Sequence, residues 1–573
     1  MARKSISKSK KLTFFSYTRL IYSKCKWVHK LFTPVLCEVL FLLGLWRPLA
    51  ESHARVATEF AQLNRTFWGD DIKGSQNILV EGHLSEYGPN YLFRTGLAAK
   101  ALQAAGVRGQ ITIVTNGFSF QWEVARMVYE SFGIKKWVFL GRKFVLLSPL
   151  IAFIAAIHAF PILRMRNPQR ILEIHHGGIK AGDLIYDEIL RKTKKPTIKY
   201  IGWDVFIVVV RSWYYYYQYQ LLFTLKHFDY YVATHTAYPE YGLLCRVALK
   251  HDAVVIETTD IQMSCYEKIE KKILPTYHQG INAEICKVFY DDKKNIADLE
   301  LSASESLRRR LQSEISQIDA KKAYSGKSYT KMMLAEYLGI ENIGHVGFIA
   351  AHIFCDSPHL SSSMLHSDYY LWLVETIDSC ALARDVDWIV KPHPACDLYG
   401  ERGMVESLVQ SKGASNIHIC PPDLNTCSLR DCADIILTVH GTVGLEFSCL
   451  GIPTILAGTP FYAGFGFSYD PNRIDDYREL IAKASSLPRL SDLQVSFALQ
   501  VFAIWEQQFD WDNPIVNLDL LALVWGNGVT RDLTKAYEML TKNLSMHNPR
   551  NLKLWRYVNL LADKKLSLYL DNA

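Results

Sequence analysis

The stretch from Ile436 to Gly458 reads ILTVHGTVGLEFSCLGIPTILAG, and its pattern indicates the fold. An uncharged run leads to His440, and Gly441 follows it at once. A short segment with one carboxylate, Glu446, then precedes a second apolar run after Pro453. A strand, a glycine-containing turn, a helix and another strand in that order are typical of a βαβ unit. We therefore predict two parallel strands here, with His440 and Gly441 at the end of the first.

The same alternation of strand-like and helix-like segments extends along most of the chain. In the first half, strands are predicted at residues 77–82, 111–116, 136–141, 171–176, 198–210, 230–235 and 253–258. In the second half, they are predicted at residues 345–352, 386–393, 416–420, 433–440 and 453–458. Strands that alternate with helix-length segments form parallel sheets. We predict an α/β fold of two Rossmann-like, doubly wound domains that face each other across a cleft.

Changes in composition divide the 573 residues into five parts. At roughly 100–200 residues per domain, this length favours two to four domains. Residues 71–290 and 341–495 contain the two series of strands. Residues 291–340 are charged and helical, and this segment is either a hinge or a solvated helix on one domain. Residues 496–573 form a helical C-terminal region, and residues 1–70 form a separate N-terminal segment.

Polar residues that directly follow predicted strands of the second domain are the main candidate site residues. Ligands of open α/β sheets bind beyond the carboxyl ends of the strands. Lys391 and His393 alternate with prolines at one strand end, and a cation beside an imidazole suits a diphosphate. Gly441 and Thr442 open another turn, where backbone amides can bind an anion. Glu446 either caps its helix or accepts hydrogen bonds from ribose hydroxyls.

Further candidates follow strands of both domains. His352 and Asp356 come after the first strand of the second domain. Together with His359 they would allow a metal site, but no other ligand pattern supports one, and we expect none. In the first domain, His176 precedes a Gly-Gly pair. Asp183, or a nearby histidine, is a candidate general base for an acceptor hydroxyl.

Other polar residues of the first domain give weaker signals. Asp187 stands four residues before Arg191 on a predicted helix, which favours an ion pair between them. His235 and Glu240 end a further predicted strand and could line the same cleft.

Two kinds of segment raise the question of a membrane. Residues 1–30 contain nine Lys or Arg and no Asp or Glu, interleaved with aromatic and aliphatic residues. That mixture favours contact with an anionic membrane surface, and a solvated tail is the alternative. Residues 32–46 are too short to span a bilayer, and residues 144–163 indicate a buried or membrane-skimming helix more than a span. We expect a cytoplasmic protein, peripheral on the inner face of the cell membrane.

The cysteine spacing and the charge distribution disfavour a cysteine-bound metal site and a nucleic-acid partner. The twelve cysteines form no C-x-x-C pair and have no metal-ligand spacing, so they are predicted to be small buried residues in a reducing cytosol. The net charge is +7, and the bulk of the excess lies in the N-terminal segment. No basic-aromatic groove pattern occurs in the domains, which disfavours nucleic acid as a partner. No cofactor is expected.

Five segments carry a resemblance to a known family: GDLIYDEILR, THTAYPEYGLLCRVAL, AHIFCDSPH, DWIVKPHP and HGTVGLEFSCLGIPTILAGTPFYAGFGFSYDP. They resemble bacterial capsular and surface polysaccharide biosynthesis proteins, which are similar to GT-B glycosyltransferases and related to the capsule Kdo transferases. The resemblance covers residues 77–515 and is sharpest over 345–471. It implies a GT-B-like arrangement, contact of His393 with the nucleotide phosphate, donor binding by Gly441, Thr442 and Glu446, and no need for a metal.

The predicted function is glycosyl transfer from a nucleotide sugar, possibly CMP-linked, to a lipid-linked or growing capsular polysaccharide. The predicted donor-binding residues are Lys391, His393, His440, Gly441, Thr442, Glu446, His352 and Asp356. The predicted catalytic residues are Asp183, His176 and His393. Two alternatives stay open: a CDP-glycerol-type glycerophosphotransferase, and a non-catalytic GT-B-shaped scaffold of a polysaccharide assembly complex.

Overall fold

The computed structural model describes residues 35–47, 51–69, 74–83, 88–261, 263–266, 296–314, 318–360, 363–506, 512–525 and 531–562. These residues form two α/β domains, each built around one mainly parallel sheet. The predicted fold class is therefore confirmed. The basic segment at residues 1–30 lies outside the described residues.

The first domain contains strands β1 to β8. Their bounds are β1 (Gln76–Glu81), β2 (Gly109–Thr115), β3 (Lys136–Phe139), β4 (His175–His176), β5 (Ile179–Lys180), β6 (Tyr230–Ala233), β7 (Val254–Thr258) and β8 (Met263–Tyr266). β4 and β5 form a separate antiparallel hairpin. The other six form one sheet in the order β3-β2-β1-β6-β7-β8, parallel except for β8. The strand order reverses between β1 and β6, which leaves a crevice at their carboxyl ends.

The second domain contains five parallel strands. Their bounds are β9 (His345–Ala350), β10 (Val386–Lys391), β11 (Ile417–Ile419), β12 (Ile435–Thr438) and β13 (Thr454–Leu456). They lie in the order β11-β10-β9-β12-β13, and all neighbouring pairs are parallel. The order reverses between β9 and β12. This domain therefore repeats the doubly wound plan of the first.

Helices surround both sheets. In the first domain and the segments before it they are α1 (residues 35–42), α2 (Ala54–Arg65), α3 (Pro89–Ala104), α4 (Glu123–Ser131), α5 (Leu140–Lys143), α6 (Ser148–Ala159), α7 (Gly182–Thr193), α8 (Trp203–Leu225) and α9 (Leu243–Lys250). The remainder are α10 (Ile296–Leu311), α11 (Ile318–Ala323), α12 (Lys331–Leu338), α13 (Tyr369–Leu382), α14 (Cys396–Tyr399), α15 (Met404–Lys412), α16 (Leu429–Cys432), α17 (Thr442–Ser448), α18 (Ile474–Ala482), α19 (Asp492–Glu506), α20 (Leu518–Trp525), α21 (Leu533–Met546) and α22 (Lys553–Ala562).

Alternate residues of β1 show how the layers are built. Leu79 is fully buried in a core that it shares with α6, α7, α8 and α9. Its neighbours Ile78 and Val80 are fully buried in a second core, together with α2, α3 and α4. Because successive side chains of a strand point to opposite faces, the sheet is buried on both sides. This burial explains the nearly continuous apolar sequence of these strands.

The helical segments outside the two sheets divide between the domains. Ala303 and Leu307 of α10 share a core with Val501 and Phe502 of α19, so α10 packs on the second domain. The helices α20, α21 and α22 instead return to the first domain. There Tyr537 packs against Phe60 of α2, with ring centroids 6.1 Å apart. Among the described residues the two sheets share no strand. Ile353, Cys355 and Ala395 of the second domain nevertheless pack into the core that contains Leu79. The chain crosses between the domains twice.

Two predicted strands are wrong. Residues 168–173 form a 3₁₀ helix, and only His175 and His176 are extended. Most of the predicted strand at 198–210 is the beginning of α8, whose buried residues recur mainly with a helical period: Val205, Val208, Val209, Ser212, Trp213, Tyr216, Gln218, Tyr219, Leu222 and Phe223. Apolar and aromatic residues also occupy most of the remaining positions, and they hide this period in the sequence.

The apolar stretch at 144–163 contains α6. Ile151, Ala155 and Ala159 of this helix are buried, while its other side faces outward. The helix is therefore only half buried, in contrast to the fully buried alternative. Among the described residues, no helix combines the length and the apolar character needed to cross a bilayer.

Candidate functional site

An open cavity of about 270 Å³ lies beyond the carboxyl ends of β9, β10 and β12. This position is the reversal point of the second sheet, where α/β proteins bind ligands. Residues from β9, β10, β12, α10, α11 and α17 meet there. The polar and flanking residues that line it are Arg310, Tyr324, His352, Lys391, Pro392, His393, Pro394, Thr426, Thr438, Gly441, Thr442, Val443 and Glu446. Six of the predicted donor-binding residues lie together in this lining.

Lys391 and His393 reach the cavity from the end of β10. The Nζ atom of Lys391 donates a hydrogen bond to the carbonyl of Leu424, 3.0 Å away. The backbone N–H of Ala395 donates to Nδ1 of His393 at 3.2 Å. A neutral His393 therefore carries its proton on Nε2, where it can be donated to an anion. Both side chains thus offer donors at a strand end.

A buried ion pair forms another part of the lining. Nε of Arg310 donates to Oε1 of Glu446 at 2.6 Å, and both side chains are almost fully buried. The hydroxyl of Tyr324 donates to the other carboxylate oxygen. Burial acts to lower the pKa of the Arg310 guanidinium, but the Glu446 carboxylate outweighs it and the pKa is raised. Glu446 is therefore held by two side chains from outside its own helix and does not cap α17.

The glycines of the turn before α17 make room for close contacts. The hydroxyl of Tyr462 donates to the carbonyl of Gly441 at 2.6 Å. A Cβ atom at Gly444 would collide with that same hydroxyl. The N–H of Gly441 donates to Oγ1 of Thr438 at 3.2 Å. Gly444 is thus required so that Tyr462 can hold the turn in place.

Two histidines lie beside the turn: His440 is buried, and His352 is half-buried at the edge of the cavity. The N–H of Val439 donates to Nε2 of His352 at 3.2 Å, and the ring stacks on Tyr369 at 4.2 Å. Burial lowers the pKa of His352 well below its usual range. Nε2 of His440 lies 3.2 Å from the carbonyl of Ser363, and the Tyr369 hydroxyl lies 3.2 Å from its Nδ1. Burial lowers the pKa of His440 to about 4. His440 lies outside the cavity lining and supports the turn.

Asp183 does not reach the cavity. Arg246 donates to both of its carboxylate oxygens, at 2.7 and 2.8 Å, and both side chains are buried. Burial acts to raise the pKa of Asp183, but the Arg246 charge outweighs it and the pKa is lowered. The carboxylate is therefore engaged in an internal ion pair, which is an unfavourable state for a general base.

His176, at the end of β4, packs against aromatic residues of α8. Its ring packs against Trp213 and Tyr216, and Nε2 lies 3.1 Å from the hydroxyl of Tyr217. Burial and the neighbouring His158 lower its pKa. The lining of the cavity does not include His176.

Asp356 lies at the contact between the domains and outside the cavity lining. The hydroxyl of Tyr238, in the first domain, donates to Asp356 at 3.3 Å. The guanidinium of Arg191 lies 4.0 Å from the same carboxylate. Asp187, predicted to pair with Arg191, instead binds Nδ1 of His359 at 2.6 Å. The loop after β9 therefore joins the domains.

The sequence reasoning missed Arg310 and Tyr324. Both come from the charged segment at residues 291–340, which the sequence predicts to be a hinge or a solvated helix. A signal was present, because Arg310 falls on the same face of α10 as the buried Ala303 and Leu307. Within the part of the chain that the structure describes, no group of three or more His, Cys, Asp or Glu residues could hold a metal ion.

Comparison with known proteins supports the predicted family. Residues 377–501 match the family described as "Capsule polysaccharide biosynthesis protein". This segment runs from α13 into α19 and includes Lys391, His393, Gly441 and Glu446. The predicted resemblance to capsule polysaccharide biosynthesis proteins is therefore confirmed for the second domain. A search of curated proteins found no match.

Several solved structures are similar at low identity. KpsC, a β-Kdo 2,4 transferase from Thermosulfurimonas dismutans, is 15% identical over 48% of this chain and 79% of that chain, with a TM-score of 0.30. A glycosyltransferase from Rickettsia africae is 12% identical over 85% and 99%, with a TM-score of 0.24. A UDP-GlcNAc 2-epimerase from Neisseria meningitidis is 10% identical over 82% and 100%, with a TM-score of 0.22. Similarity this low carries no argument about function.

Proposed function

We propose that the protein is a glycosyltransferase of capsular or surface polysaccharide synthesis that uses a nucleotide-sugar donor. One observation carries the proposal: Lys391, His393 and Arg310 converge on an open cavity at the reversal point of the second sheet. Two cationic side chains, two histidines and one carboxylate line this cavity: Arg310, Lys391, His352, His393 and Glu446. Such a balance suits a phosphorylated ligand. The family match covers the strand that carries two of them.

In this proposal the donor diphosphate or phosphate lies against the end of β10. Nζ of Lys391 and the Nε2 proton of His393 bind its oxygens. Their donors stabilise the charge that develops on the leaving nucleotide when the bond to the sugar breaks. Glu446 accepts from Arg310 and Tyr324, and each carboxylate oxygen has a second lone pair for a ribose hydroxyl.

The acceptor hydroxyl must lose a proton, and we assign Glu240 to this step in place of Asp183. Oε1 of Glu240 accepts from Nδ2 of Asn116 at 2.9 Å, and Arg211 lies 3.6 Å from Oε2. Unlike the buried pair of Asp183 and Arg246, both side chains of this longer ion pair are partly exposed. Glu240 follows Tyr238 by two residues, and Tyr238 contacts Asp356 on the loop that begins at His352. Glu240 is therefore close in sequence to the contact between the domains, and this proximity supports the assignment. A carboxylate within reach of the acceptor can act as general base.

Calorimetric titration with CMP, UDP and GDP tests donor binding. We expect one nucleotide to bind the wild-type protein. We expect His393→Ala and Lys391→Met each to weaken binding by about 10-fold to 100-fold, because each removes a charge-assisted hydrogen bond. His418→Ala and Lys412→Met are matched controls, because these side chains lie outside the cavity lining and contact Asp387 and Asp378. Both controls should bind like the wild type.

Product analysis then separates the reaction classes. Incubation with the corresponding nucleotide sugars and a capsular oligosaccharide should give a product heavier by one sugar in mass spectrometry. A parallel incubation with CDP-glycerol as the donor tests the alternative: glycerol phosphate joined to the acceptor through a phosphodiester, with release of CMP, would identify a glycerophosphotransferase. Failure of the wild-type protein to bind any of the three nucleotides would overturn the proposal and favour the scaffold.

A further inference from the structure

The helix α6 is apolar on both sides, although only one side is covered. Ile151, Ala155 and Ala159 pack into the first domain. An opposite stripe of five side chains, spaced three or four residues apart, is between 51% and 91% exposed: Leu146, Leu150, Phe153, Ile157 and Phe160. An exposed, continuous apolar stripe of this kind marks a surface that binds something apolar.

Basic residues flank this stripe at both ends. Residues 131–172 contain seven Lys or Arg and no Asp or Glu. Arg142 and Lys143 precede α6, and Arg164 and Arg166 follow it, all of them exposed. The guanidinium of Arg164 lies 5.7 Å from the ring centre of Phe160, at the end of the stripe. The cations therefore lie where the apolar surface ends.

The short helix α1 extends the same region. It exposes Leu36, Val39 and Leu42. Its one acidic residue, Glu38, is turned inward and lies 3.8 Å from Arg142. It also accepts from the Ser119 hydroxyl at 2.6 Å. α1 is thus attached next to the start of the α6 segment, and the basic residues 1–30 lead into it along the sequence.

We propose that α1 and the exposed stripe of α6 form a membrane-binding surface that inserts into an anionic bilayer. α6 has 12 residues and is about 18 Å long, too short to cross the hydrocarbon core but suited to lie in the interface. The apolar side chains enter the acyl region, and the flanking cations bind lipid phosphates. A second copy fits less well, because two such faces would bring like charges together. The proposal does not depend on the enzymatic function.

Co-sedimentation of the full chain with vesicles tests the apolar part. The vesicles consist of phosphatidylcholine alone, or of phosphatidylcholine and phosphatidylglycerol in equal amounts. The triple variant Leu150→Ser, Phe153→Ser, Ile157→Ser should bind the mixed vesicles at least about tenfold more weakly. The matched control Met332→Ser, Leu382→Ser, Leu493→Ser changes three exposed apolar residues outside the first domain, which are 63% to 83% exposed, and should bind like the wild type.

A second variant tests the charges. Arg164→Gln with Arg166→Gln should weaken binding to the mixed vesicles about tenfold and leave binding to phosphatidylcholine unchanged. Amide hydrogen exchange across residues 148–159 should slow in the wild type when mixed vesicles are added. This exchange measurement uses only the wild-type protein.

Two outcomes would overturn the proposal. One is wild-type vesicle binding by both variants with unchanged exchange at α6. The other is a wild-type protein that ignores vesicles but forms a dimer that the triple variant breaks, which would assign the surface to a second copy. Light scattering after size-exclusion chromatography measures the oligomeric state.

Discussion

The strand ends of the two domains follow the same topology but differ in what their polar residues contact. In the second domain, Lys391 and His393 face an open cavity. In the first, Glu81 at the end of β1 accepts from the N–H of Thr234 at 2.9 Å and is fully buried. Asp183, close to the domain contact, is likewise occupied by an internal partner. A polar residue after a strand is therefore a candidate site residue only where it faces open space.

The largest expected effect distinguishes the roles of two carboxylates of the first domain, Glu240 in catalysis and Asp183 in stability. Glu240→Gln should lower the transfer rate by about 100-fold or more while the free energy of unfolding stays close to wild type, because it removes the proposed base. Asp183→Asn should instead lower the free energy of unfolding by about 3–5 kcal/mol, because Arg246 then stays buried without its counter-charge.

Initial rates, divided by the folded fraction from urea titrations, measure both effects. Asp183→Asn should then transfer at nearly the wild-type rate per folded molecule. A stable Asp183→Asn protein without activity, beside an active Glu240→Gln, would return the role of base to Asp183.

The ion pair of Arg310 and Glu446 allows a similar test of stability beside the cavity. Arg310→Met should lower the free energy of unfolding by about 3–5 kcal/mol, because Glu446 loses its buried partner. Adding Glu446→Leu should recover part of that loss, since no uncompensated charge remains. Urea unfolding of the wild type, both single variants and the double variant gives the coupling energy. Additive losses would show that the two side chains do not depend on each other.

A smaller effect is expected from pH. The pKa of His440 is about 4 in the folded protein and about 6.5 when exposed. Between these values the unfolded chain binds a proton that the folded protein does not, so stability falls as the pH drops from about 6.5 to about 4. The loss from His440 alone approaches about 3 kcal/mol at the acid end.

His440→Gln should remove this part of the acid sensitivity, because glutamine does not titrate. Urea unfolding at neutral pH and near pH 4, for both proteins, measures the difference. Identical pH dependence in wild type and variant would mean that His440 is protonated in the folded state.

The strands could be predicted where polar positions separate them from helices. The predicted and observed bounds agree within a few residues for β1, β2, β9, β10 and β12. The beginning of α8 was not, because Val205, Val208 and Val209 are followed by tyrosines on every side of the helix. Hydrophobic periodicity identifies a helix in a sequence only when one face of the helix is polar. The first turns of α8 have apolar residues on every face, so the sequence shows no helical period there.

The sequence predicts the part of the candidate site that is made of residues at strand ends. Lys391, His393, Gly441 and Thr442 follow strands, and topology brings them together. Arg310 comes from a helix that reaches the cavity through tertiary packing. The periodicity of α10 predicts that Arg310 is buried, but not that it lies at the cavity. The pairing of Asp183 with Arg246 is invisible for the same reason, since 63 residues separate them.

The route of the chain affects how the protein can fold during synthesis. Leu520, Tyr537 and Leu540 complete a core of the first domain, together with Phe60 and Phe93. The ribosome adds about 5–20 residues per second, so the roughly 300 residues between β8 and the end of α22 take about 15–60 seconds. For that time the face of the first domain that awaits α20, α21 and α22 is uncovered, while the second domain can already fold. The nascent chain therefore exposes an apolar surface until α20, α21 and α22 have been synthesised.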